Sequence, residues 1–134
     1  MKLVLDASVA LASMRASEPA HAAARARIER AIQNLDELLL PPIFPVEVGG
    51  ALARLGVPEA EIRRLVDALV RPPHEVVTMG AKRAAAAQAL AMKARLRGAD
   101  ALYVWLAAAR AVTLCTLDHE MTQRAAAFCK VVSP

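Results

Sequence analysis

Short apolar runs with polar stops alternate along this chain with longer stretches of helical periodicity. Leu3, Val4 and Leu5 form the first run, and Asp6 ends it. The run is too short for a helix, and its lack of polar alternation predicts a strand buried on both faces. Residues 9–14 are apolar and predict a short helix. Ser17, Glu18 and Pro19 read as a helix entry, with an N-cap, a first-turn acid and an early proline. That helix is expected to run over residues 21–35, with Ala24, Ile28, Ala31 and Leu35 as its apolar stripe. Arg25, Arg27 and Arg30 lie off the stripe, as a solvated face or as ligand contacts.

Residues 38–40 predict a second strand, closed by Pro41 and Pro42. Pro45 then fixes an early helical turn with Glu47 just inside, and Gly56 ends the helix. Gly49 and Gly50 in its interior cost roughly 1 kcal/mol each relative to Ala, which points to close packing against another backbone. Pro58 opens a further helix with Ile62, Leu65, Val66 and Leu69 on one face, and Pro72-Pro73 stops it. Residues 74–79 read as a strand and residues 81–97 as a helix, with Gly98 as its C-cap. Another helix covers residues 99–111. Residues 112–115 read as a strand, 116–128 as a turn and helix, and 130–132 as a last strand. This alternation predicts an α/β domain, a parallel sheet with crossover helices.

The 134 residues suit one domain spanning 1–134 with a real core. Aromatics make up only 3% of the chain, so the core must be built from Ala, Leu and Val, with Phe44, Tyr103, Trp105 and Phe128 as its few large pieces. The net charge of +4 is carried mainly by arginine, whose planar fork suits phosphate. A polyanionic partner fits that balance, and so does simple solubility. Cys115 and Cys129 have no metal-ligand spacing and read as reduced and inert. Asp6 interrupts the first apolar run too early for a signal peptide, and no run reaches the roughly 18 residues of a membrane span. The expected setting is cytoplasmic.

Four acids share a topological address. Asp6 follows the first strand, Glu47 lies shortly after the second, Asp100 opens the helix before the fourth, and Asp118 stands just past the fourth. Open α/β sheets place ligand chemistry at the carboxyl ends of their strands. Each acid also has a structural alternative: Asp6, Asp100 and Asp118 as helix caps, and Glu47 at the positive end of its helix dipole. Together, however, they repel one another unless a cation is present. A donor set of oxygen alone suits Mg²⁺ or Mn²⁺. Ser8 and Thr116 supply hydroxyls two residues from Asp6 and Asp118, fit to orient a carboxylate or simply to form turns. Glu120 is a weaker candidate at the same edge.

VLDASV at 4–9, PVEVGGALARL at 45–55, ADALYVWLAAAR at 99–110 and CTLDHEM at 115–121 together resemble the signature segments of the PIN domain family, and more narrowly the VapC-type toxin ribonucleases. The resemblance spans the whole chain. It implies a five-stranded parallel sheet flanked by helices and a metal-dependent endoribonuclease using Mg²⁺ or Mn²⁺. It implies that Asp6, Glu47, Asp100 and Asp118 form the acidic metal site, supported by Ser8 and Thr116. It further implies RNA as substrate, a VapB-like antitoxin as partner, and a homodimer. Positive charge should then flank the acidic edge. Arg15 and Arg97 are the first candidates for RNA contacts, ahead of Lys82, Arg83, Lys93 and Arg95. Tyr103 is placed either to stack a base or to pack in the core. His119, beside Asp118, is not required by the motif and reads as a surface neighbour.

Two other readings compete. A phospho-acceptor receiver domain also has five parallel strands and an acidic site, but it needs a pair of acids after the first strand, where only Asp6 stands. A catalytically silent PIN-fold module that binds RNA or serves in assembly would keep the architecture and lose the chemistry.

Overall fold

Leu3, Val4 and Leu5 are each at most 1% exposed, because strand β1 (Lys2–Leu5) is the middle strand of a five-stranded sheet. The computed structural model describes residues 1–134. The sheet order is β3-β2-β1-β4-β5, with β2 at Glu37–Leu40, β3 at Glu75–Val76, β4 at Thr113–Cys115 and β5 at Val131–Val132. Every pairing is parallel. Val4 lies between Leu39 of β2 and Leu114 of β4, and Leu5 pairs with Cys115. A strand with neighbours on both edges and helices over both faces has no solvated side, which explains its unbroken apolar run.

The chain runs outward from β1 to β2 and β3, then returns to β4 on the other side of β1. The order therefore reverses between β1 and β4, and the crevice at such a point opens beyond the carboxyl ends of the strands. The order also differs from the 2-1-3-4-5 arrangement of receiver domains, which removes that reading. Helices α1 (Ala7–Ser13), α2 (His21–Ile32), α3 (Ile43–Arg54) and α4 (Glu59–Val70) pack among themselves, and α5 (Ala81–Ala94) packs on α6 (Gly98–Arg110). Right-handed crossovers put these two groups on opposite faces of the sheet. The short α7 (His119–Ala125) links β4 to β5. Tyr103 and Phe44 are the largest fully buried side chains, in a core otherwise of Leu, Val and Ala.

Several local expectations change. Ser17 caps no helix, since the second helix starts at His21 with Ala20 at its N-cap, and it ends at Ile32, which leaves Leu35 outside it. Residues 16–20 form turns instead, and Arg15 pairs with Glu18 at 2.9 Å across them. Gly98 caps nothing: α5 stops at Ala94, Arg95 takes the left-handed conformation with φ of 55°, and Gly98 is the first residue of α6. The Leu96 amide closes that turn on the Ala91 carbonyl. Gly49 and Gly50 pack against no other backbone, since a Cβ at either position meets nothing within 4 Å. The run at 74–79 pairs over only two residues.

At the end of the sheet away from the crevice, Asp36 is 1% exposed and takes Arg27 at 3.0 Å and Arg30 at 2.8 Å. The Arg30 hydrogen bond, foremost, holds the Asp36 carboxyl well below the usual range. Two of the three arginines off the α2 stripe thus serve the fold, while Arg25 pairs with Glu29.

Candidate active site

A cavity of about 400 Å³ opens at the crevice beyond β1 and β4. Asp6, Glu47, Asp100 and Asp118 all line it, together with Ser8, Arg54 and Arg97. Strand ends, the start of α6 and one face of α3 bring these residues together from positions as much as 112 apart in the chain.

Asp6 is 5% exposed and stands at the N-cap position of α1, yet its carboxylate makes no cap hydrogen bond. It accepts instead from Ser8 Oγ at 2.5 Å and from Thr116 Oγ1 at 2.8 Å, both on Oδ2. Thr116, 1% exposed, in turn accepts from the Asp118 amide at 3.0 Å, and Ser8 Oγ accepts from the Leu117 amide at 3.1 Å. Two hydroxyls thus tie the end of β1 to the end of β4. Their donation holds Asp6 charge-ready, but burial dominates and leaves its pKa raised.

Glu47 lies beyond the first turn of α3, so the helix-dipole alternative has little hold on it. The Tyr103 hydroxyl donates to its Oε1 at 2.7 Å, across from α6. Burial again raises the Glu47 pKa, opposed by this hydrogen bond and increased by the charges of Asp6 and Asp100. Tyr103 is 0% exposed, which excludes it from stacking a base. Its packing is one of the two roles the sequence allows, whereas the hydroxyl contact leaves no sign there, since no local pattern links residues 47 and 103.

Asp100 sits in the first turn of α6, and the N-cap position belongs to Arg97. Burial raises its pKa, offset by Arg97 and increased by Asp118 and Asp6. Asp118 does cap α7, with Oδ1 accepting from the Met121 amide at 2.8 Å. Its other oxygen, Oδ2, faces Arg97 Nη2 at 3.7 Å, while Arg97 Nε lies 3.3 Å from Asp100 Oδ2. The guanidinium therefore stands between two of the four acids.

No three acidic, His or Cys side chains converge tightly enough to share one ion in these rotamers. The partners explain it: Ser8 and Thr116 hold Asp6, Tyr103 holds Glu47, and Arg97 holds Asp100 and Asp118. The donor set itself fits a hard divalent cation, being four carboxylates and the Ser8 hydroxyl with no sulfur or imidazole.

The other sequence candidates fall outside the cavity. Arg15 is engaged with Glu18, beyond the far end of α1. Glu120 pairs with Arg124 at 2.9 Å, and His119 is exposed and meets Gln123. Arg83 donates to the Thr78 carbonyl, and Lys93 lies 5.9 Å from the centre of the Phe128 ring. Arg54, by contrast, lines the cavity and drew no notice in the sequence. Its signal was available, because it lies seven residues after Glu47 on one helix.

The PIN domain family model matches residues 3–127. No curated protein matches the chain. Among solved structures, PAE2754 from Pyrobaculum aerophilum is similar over 99% of this chain and 89% of its own, at 21% identity and a TM-score of 0.68. VapBC2 from Rickettsia felis, bound to a DNA fragment from its promoter, is similar over 99% of this chain and 98% of the matched one, at 13% identity and a TM-score of 0.70. Both are likenesses of fold. No helix of this chain is long and apolar enough to cross a membrane.

Proposed function

The chain belongs to the PIN domain family, whose members are generally nucleases, and from that premise we propose that it is a metal-dependent endoribonuclease, the cytoplasmic toxin of a VapBC-type toxin–antitoxin pair. The observation that carries this reading is the meeting of four carboxylates in one cavity at the point where the strand order reverses. Four acids against two arginines leave the cavity with an excess of negative charge that a divalent cation would offset. The relation of fold to VapBC2, a toxin–antitoxin complex, supports a VapB-like antitoxin as the partner. The homodimer rests on the family resemblance, and sedimentation or light scattering of the purified protein measures it.

Asp6, Glu47, Asp100 and Asp118 would hold Mg²⁺ or Mn²⁺. The ion, when bound, polarises the phosphodiester and lowers the pKa of an attacking water. The chain's own residues set the frame for that chemistry. Ser8 and Thr116 donate to one oxygen of Asp6 and leave the other free to ligate. The Met121 amide fixes Oδ1 of Asp118 and leaves Oδ2 turned to the cavity. Tyr103 fixes the direction of Glu47 from the far face of the site. Arg97 balances Asp100 and Asp118 and is placed to exchange those partners for RNA phosphate.

The test is incubation of total cellular RNA with purified protein in Mg²⁺ or Mn²⁺, in EDTA, and with Asp100→Asn. Discrete fragments that need both metal and Asp100 are expected. RNA left intact by a folded, partner-free preparation in every condition would favour the catalytically silent module that binds RNA.

A further inference from the structure

We propose that Arg54 binds a phosphate of the RNA strand next to the one being hydrolysed, a role that rests on the ribonuclease reading above. Arg54 stands in the last turn of α3, seven residues beyond Glu47. Helical geometry puts the two on one face, about 10 Å apart along the axis. Between them that face carries Gly50 and Ala51. Ala51 lines the cavity, and Gly50 is exposed with open space where a Cβ would stand. A floor bare of long side chains thus runs from the carboxylates to the guanidinium.

The charges of the cavity are unevenly committed. Asp6 is held by Ser8 and Thr116, Glu47 by Tyr103, and Asp100 and Asp118 by Arg97. Arg54 is the one charged side chain of the cavity that makes neither an ion pair nor a side-chain hydrogen bond. An uncommitted guanidinium in the same cavity as four acids has its full fork of donors available for a phosphate. An acidic site repels a polyanion, so a cation within the same cavity gives the strand its foothold. Arg97 serves the acids first, and Arg15 lies outside the cavity, paired with Glu18.

The experiment is fluorescence anisotropy of a short unstructured single-stranded RNA in Mg²⁺ across a salt series. Asp100→Asn protein, unable to cut, is compared with the same protein also carrying Arg54→Ala, Arg54→Lys or Arg15→Ala. Arg54→Ala is expected to weaken binding about tenfold and to reduce the slope of log affinity against log salt by about 0.7, the share of one phosphate contact on a single strand. Arg54→Lys should keep the slope and recover part of the affinity, and Arg15→Ala should change neither. Equal affinity and slope for Arg54→Ala, with RNA still bound, overturns this assignment alone and leaves Arg54 as a cation at the α3 C-terminus. RNA that binds none of these proteins and is not cut by the wild type overturns the ribonuclease reading and this inference with it.

Discussion

The Tyr103 hydroxyl donates to the Glu47 carboxylate at 2.7 Å, joining α6 to α3 across the mouth of the sheet. The phenol is fully buried and the carboxylate half-buried, so the ring acts as a rigid arm that aims the acid. Tyr103→Phe keeps the ring packing and removes the aim. It should lower kcat for RNA cleavage by roughly tenfold, about 1.4 kcal/mol in the barrier. Stability should fall by only about 1 kcal/mol, since water can reach the half-exposed Glu47. Cleavage kinetics and urea unfolding of the same preparation separate the two effects.

Thr116 joins two of the acids, donating to Asp6 while accepting from the Asp118 amide. Thr116→Val preserves shape but leaves the Asp118 N–H without a partner, at a cost of about 1–3 kcal/mol. It also removes a hydrogen bond that lowers the Asp6 pKa. That pKa is already raised by burial, so it should rise further, and the acid limb of the pH–rate profile should move to higher pH. Thr116→Ser keeps the hydroxyl and should restore both the midpoint of unfolding and the acid limb.

His74 lies 5% exposed just before β3, far from the acids. Its Nδ1 accepts from the Leu38 amide at 3.1 Å, and its Nε2 has no hydrogen-bond partner. Burial lowers its pKa below 6.5, Arg71 adds to that shift, and the Ala31 carbonyl and Glu37 oppose it. The neutral ring is therefore the native form. As pH falls below 6.5 the unfolded chain takes up this proton first, so the contribution of His74 to stability falls with pH through that window. Between roughly pH 7 and 5 the urea midpoint of the wild type should lose ground relative to that of His74→Gln as pH falls. An unchanged pH slope in the variant would exclude His74 as the source.

Gly50 sits inside α3 with room for a methyl group. Gly50→Ala removes backbone freedom from the unfolded chain and should stabilise the protein by about 1 kcal/mol. A higher urea midpoint with an unchanged denaturant slope is the expected result. A loss of stability would mean that the glycine serves a contact made by another molecule in the sample, which a size measurement would detect.

The sequence by itself determined the layers. Leu3, Val4 and Leu5 had to be a strand buried on both faces, because three consecutive apolar residues ended by Asp6 leave no solvated side. Alternation of such runs with helical stretches required parallel strands, and the positions of Asp6, Glu47, Asp100 and Asp118 at strand exits and a helix start marked one edge. These are properties of local pattern and chain connectivity. The boundaries at Ser17 and Gly98 went elsewhere, because capping preferences of about 1 kcal/mol yield to where the helix can pack. Only the tertiary structure decided which cations line the cavity beside Arg97. Arg15, two residues past the end of α1, pairs with Glu18 outside it, while Arg54 reaches it from α3. It also decided the partners of Tyr103, Thr116 and Asp36. Such contacts join residues brought together by crossovers, and their geometry is set by how helices pack on the sheet, which no short stretch of sequence encodes.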